Sequence, residues 1–406
     1  MDTLLWLASS LVMAGLLACL AVRAVKELLL SEGRTLSVDW ERLSPARWPW
    51  PVLFFGSLTV LWLGTFVAYA AVSGGVEGFF EHFFRRFTEA GDSPHYLFIA
   101  ENGYVREGES VNNIVFYPLY PFFMKFLGLL LGGHTALAGM ILSQICYGLS
   151  AVVMAKLAEG ECAHPGWAVA AYMLYPVGFF CLGVFTEGLF LFLTLLGLYL
   201  IRERKWALVG VVRFFCALCR TQGILLLLPG GYMAWRQCRE EGWKWKYLSV
   251  LGSVLGFFVY LCINRVVCGD FFAYQYYESI EPWWQTPQWL GTTVAQQWSM
   301  ALSHPGLAGW IYWPQLLLYF IAAALLFAGW KNRLDMPYII YGVACLGMCY
   351  TASWLISGCR YMLGCVPMFL CVGQVKRSGL RGVILLAELL CFGMFYYWYA
   401  QGQAIM

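Results

Sequence analysis

Long apolar segments recur along the whole chain, from residue 3 to residue 401, and no polar segment between them is large enough to form a separate core. A membrane's hydrocarbon core takes about 20 helical residues to cross. Asp, Glu, Lys and Arg make up only 12% of the residues, whereas roughly 25% is typical of soluble domains. These features exclude a soluble globule and predict one all-α, polytopic integral membrane domain over residues 1–406.

The apolar blocks predict about twelve transmembrane or half-membrane helices. They fall near residues 3–22, 49–72, 135–156, 166–184, 186–201, 206–219, 222–235, 247–267, 311–330, 336–357, 361–374 and 382–401. Several blocks, notably 206–219 and 361–374, are too short for an ordinary crossing, so we expect broken or half-depth helices that line a cavity. The first block has no basic n-region and no cleavage site ahead of a soluble chain, and we expect it to be a retained span.

Basic residues collect in a few short loops, which favours a cytoplasmic position for those loops. They are Arg23, Lys26, Arg34, Arg42 and Arg47, then Arg202, Arg204 and Lys205, then Arg236, Arg239, Lys244 and Lys246, then Lys331 and Arg333, and finally Lys376, Arg377 and Arg381. If all of these loops are cytoplasmic, residues 73–134 and 268–310 form two long, acidic, extracytoplasmic loops. The first of these is the predicted catalytic loop.

The apolar run 116–131 does not cross the membrane in this topology. Pro118 and Pro121 interrupt its first turns and Lys125 lies in its middle, so we expect a re-entrant or interfacial helix.

Charge and cysteine patterns exclude two other classes. The net charge is +3 without long basic runs, which argues against a nucleic-acid partner. Most of the 15 cysteines lie in apolar runs, where a thiol behaves as a small hydrophobe. Cys216 and Cys219 form a CxxC pair, but it lacks the soluble βαβ context of a redox motif and a second ligand pair for zinc.

Five polar stations stand at span ends or in loops, and the predicted topology places all five at the outer face. They are Asp92 with His95 and Glu101, Thr186 with Glu187, Arg220 with Gln222, Asp270, and Arg360 with Tyr361. An Asp and a His three residues apart share a face of a helix, which suits an acid and its orienting partner. Arg220 and Arg360 follow apolar helices, where a guanidinium is costly unless it snorkels, pairs or binds an anion such as phosphate.

Each station also has a structural interpretation. Asp92 is equally compatible with a solvated loop, Glu187 with a helix cap, and the two arginines with contacts to lipid headgroups. The aromatic clusters around Tyr276 and Trp283 are typical of an interfacial belt and would also suit stacking on a sugar. For the whole chain, a transporter or flippase of lipid-linked sugars and a membrane scaffold remain alternatives to an enzyme.

Two motifs resemble a known family. The stretch DSPHYLFIAENGY over residues 92–104, followed by FYPLYP over residues 116–121, is similar to the luminal loop of the phosphatidylinositol-glycan class V (PIG-V) type mannosyltransferases. This GPI mannosyltransferase II-like family has bacterial members and the GT-C fold. The resemblance continues at FTEGLF (185–190), RTQG (220–223), Gly269-Asp270 and Arg360-Tyr361, and so covers roughly residues 75–370.

The chain departs from the family pattern at four positions next to these stations. Gly91 stands where the family has Trp, Thr221 and Phe271 stand where it has proline, and Gly188 stands where it has serine.

The resemblance implies a GT-C-like glycosyltransferase with a large first extracytoplasmic loop that carries re-entrant or interfacial helices. Such an enzyme moves a sugar, expected to be mannose, from a polyprenyl-phosphate donor to a glycan, lipid or protein acceptor, with inversion, at the outer face of a bacterial plasma membrane. No cofactor is expected. A hard cation at Asp92, Glu101, Glu187 and Asp270 is conceivable in principle, but the sequence contains no ligand cluster.

The resemblance also assigns roles to the stations. Asp92 is expected to be the general base, with His95 and Glu101 orienting it or the acceptor. Arg360, with Arg220 or Arg265, is expected to hold the lipid phosphate as it leaves. Substrate-binding roles are expected for the remaining station residues Tyr361, Glu187, Tyr104 and Asp270.

Overall fold

The chain is helical throughout the part that the computed structural model describes, which is residues 1–29, 49–403 and 405. These residues contain no β-strand, only an isolated bridge between Pro287 and Ala352. The helices are α1 (Asp2–Leu29), α2 (Trp50–Ser73), α3 (Phe79–Glu89), α4 (Ser93–Asn102), α5 (Leu119–Leu130), α6 (Thr135–Glu161), α7 (Pro165–Met173), α8 (Glu187–Arg202), α9 (Trp206–Cys219), α10 (Leu227–Glu241), α11 (Gly252–Cys268), α12 (Ala273–Ser279), α13 (Leu290–Ser303), α14 (Pro305–Leu307), α15 (Trp313–Lys331), α16 (Met336–Cys349), α17 (Gly358–Met362), α18 (Pro367–Gly373) and α19 (Ser378–Ala400).

The apolar blocks are helices, but fewer of them than expected are full-length spans. Within the described ranges, six helical segments are long and apolar enough to cross a membrane: Asp2–Glu27, Trp50–Ser73, Thr135–Glu161, Trp245–Cys268, Pro305–Lys331 and Ser378–Ala400. The block at 206–219 is a helix of only 14 residues, and the block at 361–374 is divided between α17 and α18. The chain is therefore a polytopic membrane protein that combines long spans with shorter helices.

The run 116–131 bends sharply at its start. A 3₁₀ turn at Glu109–Val115 and helix α5 meet at 108°, which is the geometry of a broken span or a re-entrant loop. Pro118 lies at the N-cap and Pro121 lies in the first turn, where a missing backbone N–H costs least. The bend therefore lies before α5, at Pro118, and the helix continues through Pro121 without interruption.

Helix α6 lies at the centre of the bundle and packs against α2, α5, α7 and α8. The contact with α8 is very close, because a Cβ atom added to Gly188 would lie 2.2 Å from the backbone oxygen of Ser143. Glycine is therefore required at the start of α8, which gives a structural reason for Gly188 in place of the family's serine.

The basic loops and the polar stations lie at opposite ends of the shorter helices. Helix α8 begins at Glu187 and ends at Arg202, a rise of roughly 22 Å at 1.5 Å per residue. Helix α9 begins beside Lys205 and ends at the residue before Arg220. Of the other basic residues named above, Arg34, Arg42 and Arg47 lie outside the described residues.

Candidate active site

Asp92 lies in the turn between α3 and α4. Gly91 before it has φ +61°, a conformation that favours glycine over the family's tryptophan. The hydroxyl of Ser93 donates to the carbonyl oxygens of Phe87 and Val184, both at 3.1 Å. This buried serine ties the Asp92 turn to the segment that leads into α8.

Glu187 opens α8 as a buried carboxylate in the middle of an ion cluster. Its Oε1 accepts hydrogen bonds from Arg220 Nη1 at 2.8 Å and from Arg360 Nε at 2.6 Å. No side-chain bond caps the helix at this point. Glu187 therefore serves as an ion-pair partner rather than as the helix cap that the sequence also allowed.

Arg360 links the two carboxylates. It lies in the short helix α17, and its Nη2 donates to Asp92 Oδ2 while its Nε donates to Glu187. The aromatic rings of Phe180 and Phe185 lie 5.1 and 5.2 Å from the guanidinium carbon. Paired and buried in this way, Arg360 does not snorkel to lipid headgroups.

Arg220 completes the cluster from a break in the chain. Helix α9 ends at Cys219, Arg220 is extended, and a 3₁₀ turn follows at Thr221–Leu226. A Cβ atom on Gly223 would lie 2.1 Å from the carbonyl oxygen of Cys216, so this glycine lets the turn fold back against α9. The four charged side chains, which we call the ion cluster, are Asp92, Arg360, Glu187 and Arg220.

Exposure separates the two sides of the ion cluster. Asp92 and Arg220 keep 25% and 14% of their side-chain surface exposed, whereas Arg360 and Glu187 keep 4% and 1%. A cavity of about 370 Å³ is lined by Asp92 and Arg220 but not by the other two. Asp92 and Arg220 are therefore the charges that a ligand would meet, and Arg360 and Glu187 lie behind them.

The cavity is as large as a small-molecule pocket, for which roughly 300–1,000 Å³ is usual. Besides Asp92 and Arg220, its lining comes from α4, α17, the segments 115–117, 219–222 and 348–352, and the loop 268–310. The other lining residues are Tyr96, Val115, Phe116, Tyr117, Cys219, Thr221, Gln222, Tyr274, Gln275, Glu278, Trp283, Gln285, Thr286, Pro287, Met348, Cys349, Thr351, Ala352 and Tyr361.

Three of the predicted site residues support this cavity. Tyr361 lines it and places its ring 5.6 Å from the guanidinium carbon of Arg220. His95 Nδ1 lies 2.7 Å from Asn113 Oδ1, and its imidazole stacks on Phe116. Tyr104 donates from its hydroxyl to the carbonyl oxygen of Phe116 at 2.6 Å. His95 and Tyr104 thus fix a wall residue and make no hydrogen bond to Asp92.

Three other predicted residues neither line the cavity nor pair with the ion cluster. Glu101 is exposed near the end of α4, roughly 13 Å along the helix axis from Asp92. Asp270 is exposed, and its Oδ1 accepts from the backbone N–H of Phe272 at 3.0 Å, which stabilises the turn before α12. Arg265 is exposed on α11 beside Phe271.

The described residues contain no disulfide bond and no cluster of metal ligands. All fifteen cysteines are free, and most are buried, as their apolar surroundings predicted. The described ranges hold no group of three or more His, Cys, Asp or Glu side chains placed to share a metal ion.

Glu278 lines the cavity, and no role was predicted for it from the sequence. It belongs to α12, and burial raises its pKa from 4.5 to about 7. The only signal in the sequence was an acidic residue beside the aromatic run Tyr274 to Tyr277, which by itself does not distinguish a loop acid from a site residue.

Comparison with known proteins gives a partial match. The chain is 29% identical over 205 residues to "GPI alpha-1,6-mannosyltransferase 2" of Rattus norvegicus, and the protein of the same name in Cricetulus griseus gives the same identity and length. The match covers 46% of this chain and 39% of each relative, so it spans well under half of the rodent proteins. No family model matches the chain. The similarity agrees with the motif resemblance at the level of a membrane mannosyltransferase.

Proposed function

We propose that the protein is a membrane mannosyltransferase that uses a polyprenyl-phosphate-mannose donor. The observation that carries the proposal is the ion cluster at the cavity, in which Asp92 and Arg220 face the ligand space. An inverting sugar transfer needs a carboxylate for the attacking hydroxyl and a cation for the departing phosphate. The partial similarity to the rodent mannosyltransferases supports the same reaction.

In the proposed reaction, the acceptor hydroxyl gives its proton to the Asp92 carboxylate and its oxygen attacks the anomeric carbon of the donor sugar. The bond between that carbon and the phosphate oxygen breaks, and the electron pair leaves with the polyprenyl phosphate. Inversion follows, because the acceptor enters opposite the leaving group. Arg360 holds Asp92 in place through its hydrogen bond, which limits the rotamers that the base can adopt.

The geometry suggests a division of labour between the two arginines. Arg360 was expected to bind the donor phosphate, but its guanidinium already donates hydrogen bonds to Asp92 and Glu187. Arg220, in contrast, lines the cavity. We therefore assign the phosphate contact first to Arg220 and give Arg360 the task of positioning Asp92. As negative charge develops on the phosphate, a guanidinium already fixed by Glu187 stabilises it without reorganisation.

The expected extracytoplasmic position of the site is supported by the charge distribution. The ion cluster lies at the end of α8 that is opposite to Arg202, Arg204 and Lys205. Loops rich in Lys and Arg stay on the cytoplasmic side. A donor with its lipid in the outer leaflet would then present its phosphate at the level of Arg220.

The test is mannose transfer by the purified protein in nanodiscs, with polyprenyl-phosphate-mannose as donor and octyl α-D-mannopyranoside as acceptor. The variant Asp92→Asn should lose about 10²–10⁴-fold in turnover, the usual contribution of a general base, and should retain donor binding. Glu281→Gln is the matched control, because it changes an exposed carboxylate that does not line the cavity and should keep full activity. We also expect transfer to continue in EDTA.

Full activity of Asp92→Asn would refute the assignment of the base. If the wild type binds the donor and moves the lipid-linked sugar across vesicle membranes but transfers no sugar, the protein is a transporter and not an enzyme.

A further inference from the structure

The cavity has a second wall whose chemistry the proposed reaction leaves unused. It consists of α12 and the segment after it, and it contributes Tyr274, Gln275, Glu278, Trp283 and Gln285. Asp92 and Arg220, the charges that the proposed reaction uses, line the same cavity from other segments of the chain. The cavity thus combines these two charges with aromatic rings, amides and one further carboxyl group.

The second wall is held rigidly. The backbone N–H of Tyr274 donates to Asn264 Oδ1 at 2.9 Å, and that of Gln285 donates to the carbonyl oxygen of Glu278 at 2.7 Å. Two further backbone bonds, Gln288 to Thr351 at 2.7 Å and Ser353 to Thr286 at 2.9 Å, join this segment to the stretch that leads to Arg360. The wall and the ion cluster are therefore fixed relative to each other before a ligand enters.

Polar atoms of the cavity lining lack hydrogen-bond partners in the described residues. Among these residues, Trp283 Nε1, on the wall, and Gln222 Oε1, near Arg220, are buried and unpaired, and the half-buried Glu278 side chain makes no hydrogen bond or ion pair. Leaving buried polar atoms unpaired is costly, so the indole N–H and the amide oxygen indicate a ligand that supplies the missing partners, and Glu278 lines the same cavity.

The chemistry of that ligand follows from the wall. Hydroxyl groups both donate and accept, so they match a carboxyl group, an indole N–H and an amide oxygen together. The face of an aromatic ring packs on the apolar C–H face of a sugar. A carboxyl group with no cation beside it would repel the donor phosphate rather than bind it. A hexose fits these requirements better than the phosphate end of the donor. In the proposed reaction the donor sugar lies between Asp92 and the phosphate at Arg220, so we assign the hexose at this wall to the acceptor.

We propose that the wall formed by α12 and residues 283–287 is the binding subsite for an acceptor hexose, and that Glu278 hydrogen-bonds its hydroxyl groups. The inference rests on the proposed function, because only the transfer reaction distinguishes an acceptor from a donor. It makes Glu278 a specificity residue for a sugar acceptor, as opposed to a hydroxyl group on a protein or a simple lipid.

The test measures binding separately from transfer. Four proteins are compared in nanodiscs: the wild type, Glu278→Leu, Glu278→Gln and Glu281→Gln. Calorimetry measures the affinity of each protein for octyl α-D-mannopyranoside and, separately, for polyprenyl phosphate. Glu281 is the matched control, because it is an exposed carboxylate in the same loop that does not line the cavity.

Glu278→Leu should weaken the mannoside about tenfold, the effect of one or two ordinary hydrogen bonds. Glu278→Gln should restore most of the affinity, and Glu281→Gln and all polyprenyl phosphate affinities should be unchanged. Three results would overturn the subsite. They are an unchanged mannoside affinity in Glu278→Leu, a loss of polyprenyl phosphate affinity in that variant instead, and no mannoside binding to the wild type.

Failure of the subsite and failure of the proposed function give different results. If transfer is lost in Asp92→Asn but Glu278→Leu keeps a normal acceptor KM, only the subsite is overturned. Mannoside binding that depends on Glu278, without any transfer that depends on Asp92, overturns the proposed function and leaves a sugar-binding site.

Discussion

Removing the guanidinium of Arg360 should destabilise the fold as well as the site. In Arg360→Gln, Asp92 and Glu187 each lose a charge-assisted hydrogen bond. Such bonds contribute about 1.5–3 kcal/mol each, and breaking a buried ion pair by removing one partner typically costs about 3–5 kcal/mol. Glu187 keeps Arg220 at 2.8 Å, and Asp92 keeps 25% of its side chain exposed, so the lower half of that range is expected.

A double-mutant cycle isolates the pair between Arg360 and Glu187. The free energy of unfolding is measured for the wild type, Arg360→Gln, Glu187→Gln and the double variant, from the fluorescence of the chain's tryptophans in mixed micelles. Since Glu187 is only 1% exposed, we expect a coupling energy of about 1.5–3 kcal/mol, the upper part of the range for residues in direct contact.

Arg204→Gln is the matched control for this cycle. Its guanidinium lies 3.7 Å from Glu240, and both side chains are about half exposed, at 53% and 48%. Exposed pairs contribute about 0–1 kcal/mol, so this variant should unfold close to the wild type. If the changes in unfolding free energy of Arg360→Gln and Glu187→Gln add within about 0.5 kcal/mol in the double variant, the two residues are not energetically coupled.

Two further predictions concern packing and pH. Gly188→Ala should destabilise the protein by about 1–3 kcal/mol, the usual cost of overpacking, because the new Cβ atom would lie 2.2 Å from the Ser143 oxygen. The control Gly231→Ala, with nothing within 4 Å of the new atom, should stabilise the protein slightly. Equal effects of the two variants on the midpoint of thermal unfolding would contradict the close contact. Because burial raises the pKa of Glu278 from 4.5 to about 7, the stability contributed by its proton is complete below pH 4.5 and is lost as the pH rises through 7. Glu278→Gln should therefore gain in Tm over the wild type between pH 4.5 and 8, and a constant difference across that range would contradict the burial of this carboxyl group.

The sequence was sufficient to predict the membrane class and four of the residues that meet. Apolar blocks mark helices because the bilayer leaves few alternatives for the backbone, and the helices occur where the blocks stand. Asp92, Glu187, Arg220 and Arg360 belonged to the five polar stations expected at the outer face, where ionisable groups are costly without a function or a partner. In the structure these four meet in the ion cluster, whereas Glu101 and Asp270 from the same stations do not.

Other features depend on tertiary contacts that a local pattern does not contain. Block length alone did not separate full spans from short interior helices, since α8 has only 16 residues yet belongs to the core around α6. Glu101 and Asp270 have the right chemistry, but Glu101 is displaced along α4, Asp270 lies in an exposed turn, and neither lines the cavity. Glu278 resembles other loop acids in sequence, and only its place in the cavity wall distinguishes it.

The pairing of charges also explains how such a site exists before a donor arrives. Two carboxylates and two guanidiniums balance one another, so the ion cluster can be buried without an uncompensated charge. Of the two cations, only Arg220 faces the cavity, and its carboxylate partner Glu187 has one oxygen, Oε2, that is buried without a hydrogen-bond partner in the described residues. In the proposed reaction, a phosphate would bind Arg220 from the open side without breaking the bonds of Arg360. Asp92, the proposed base, would then stay in position while the anion binds, which is the preorganisation that electrostatic catalysis requires.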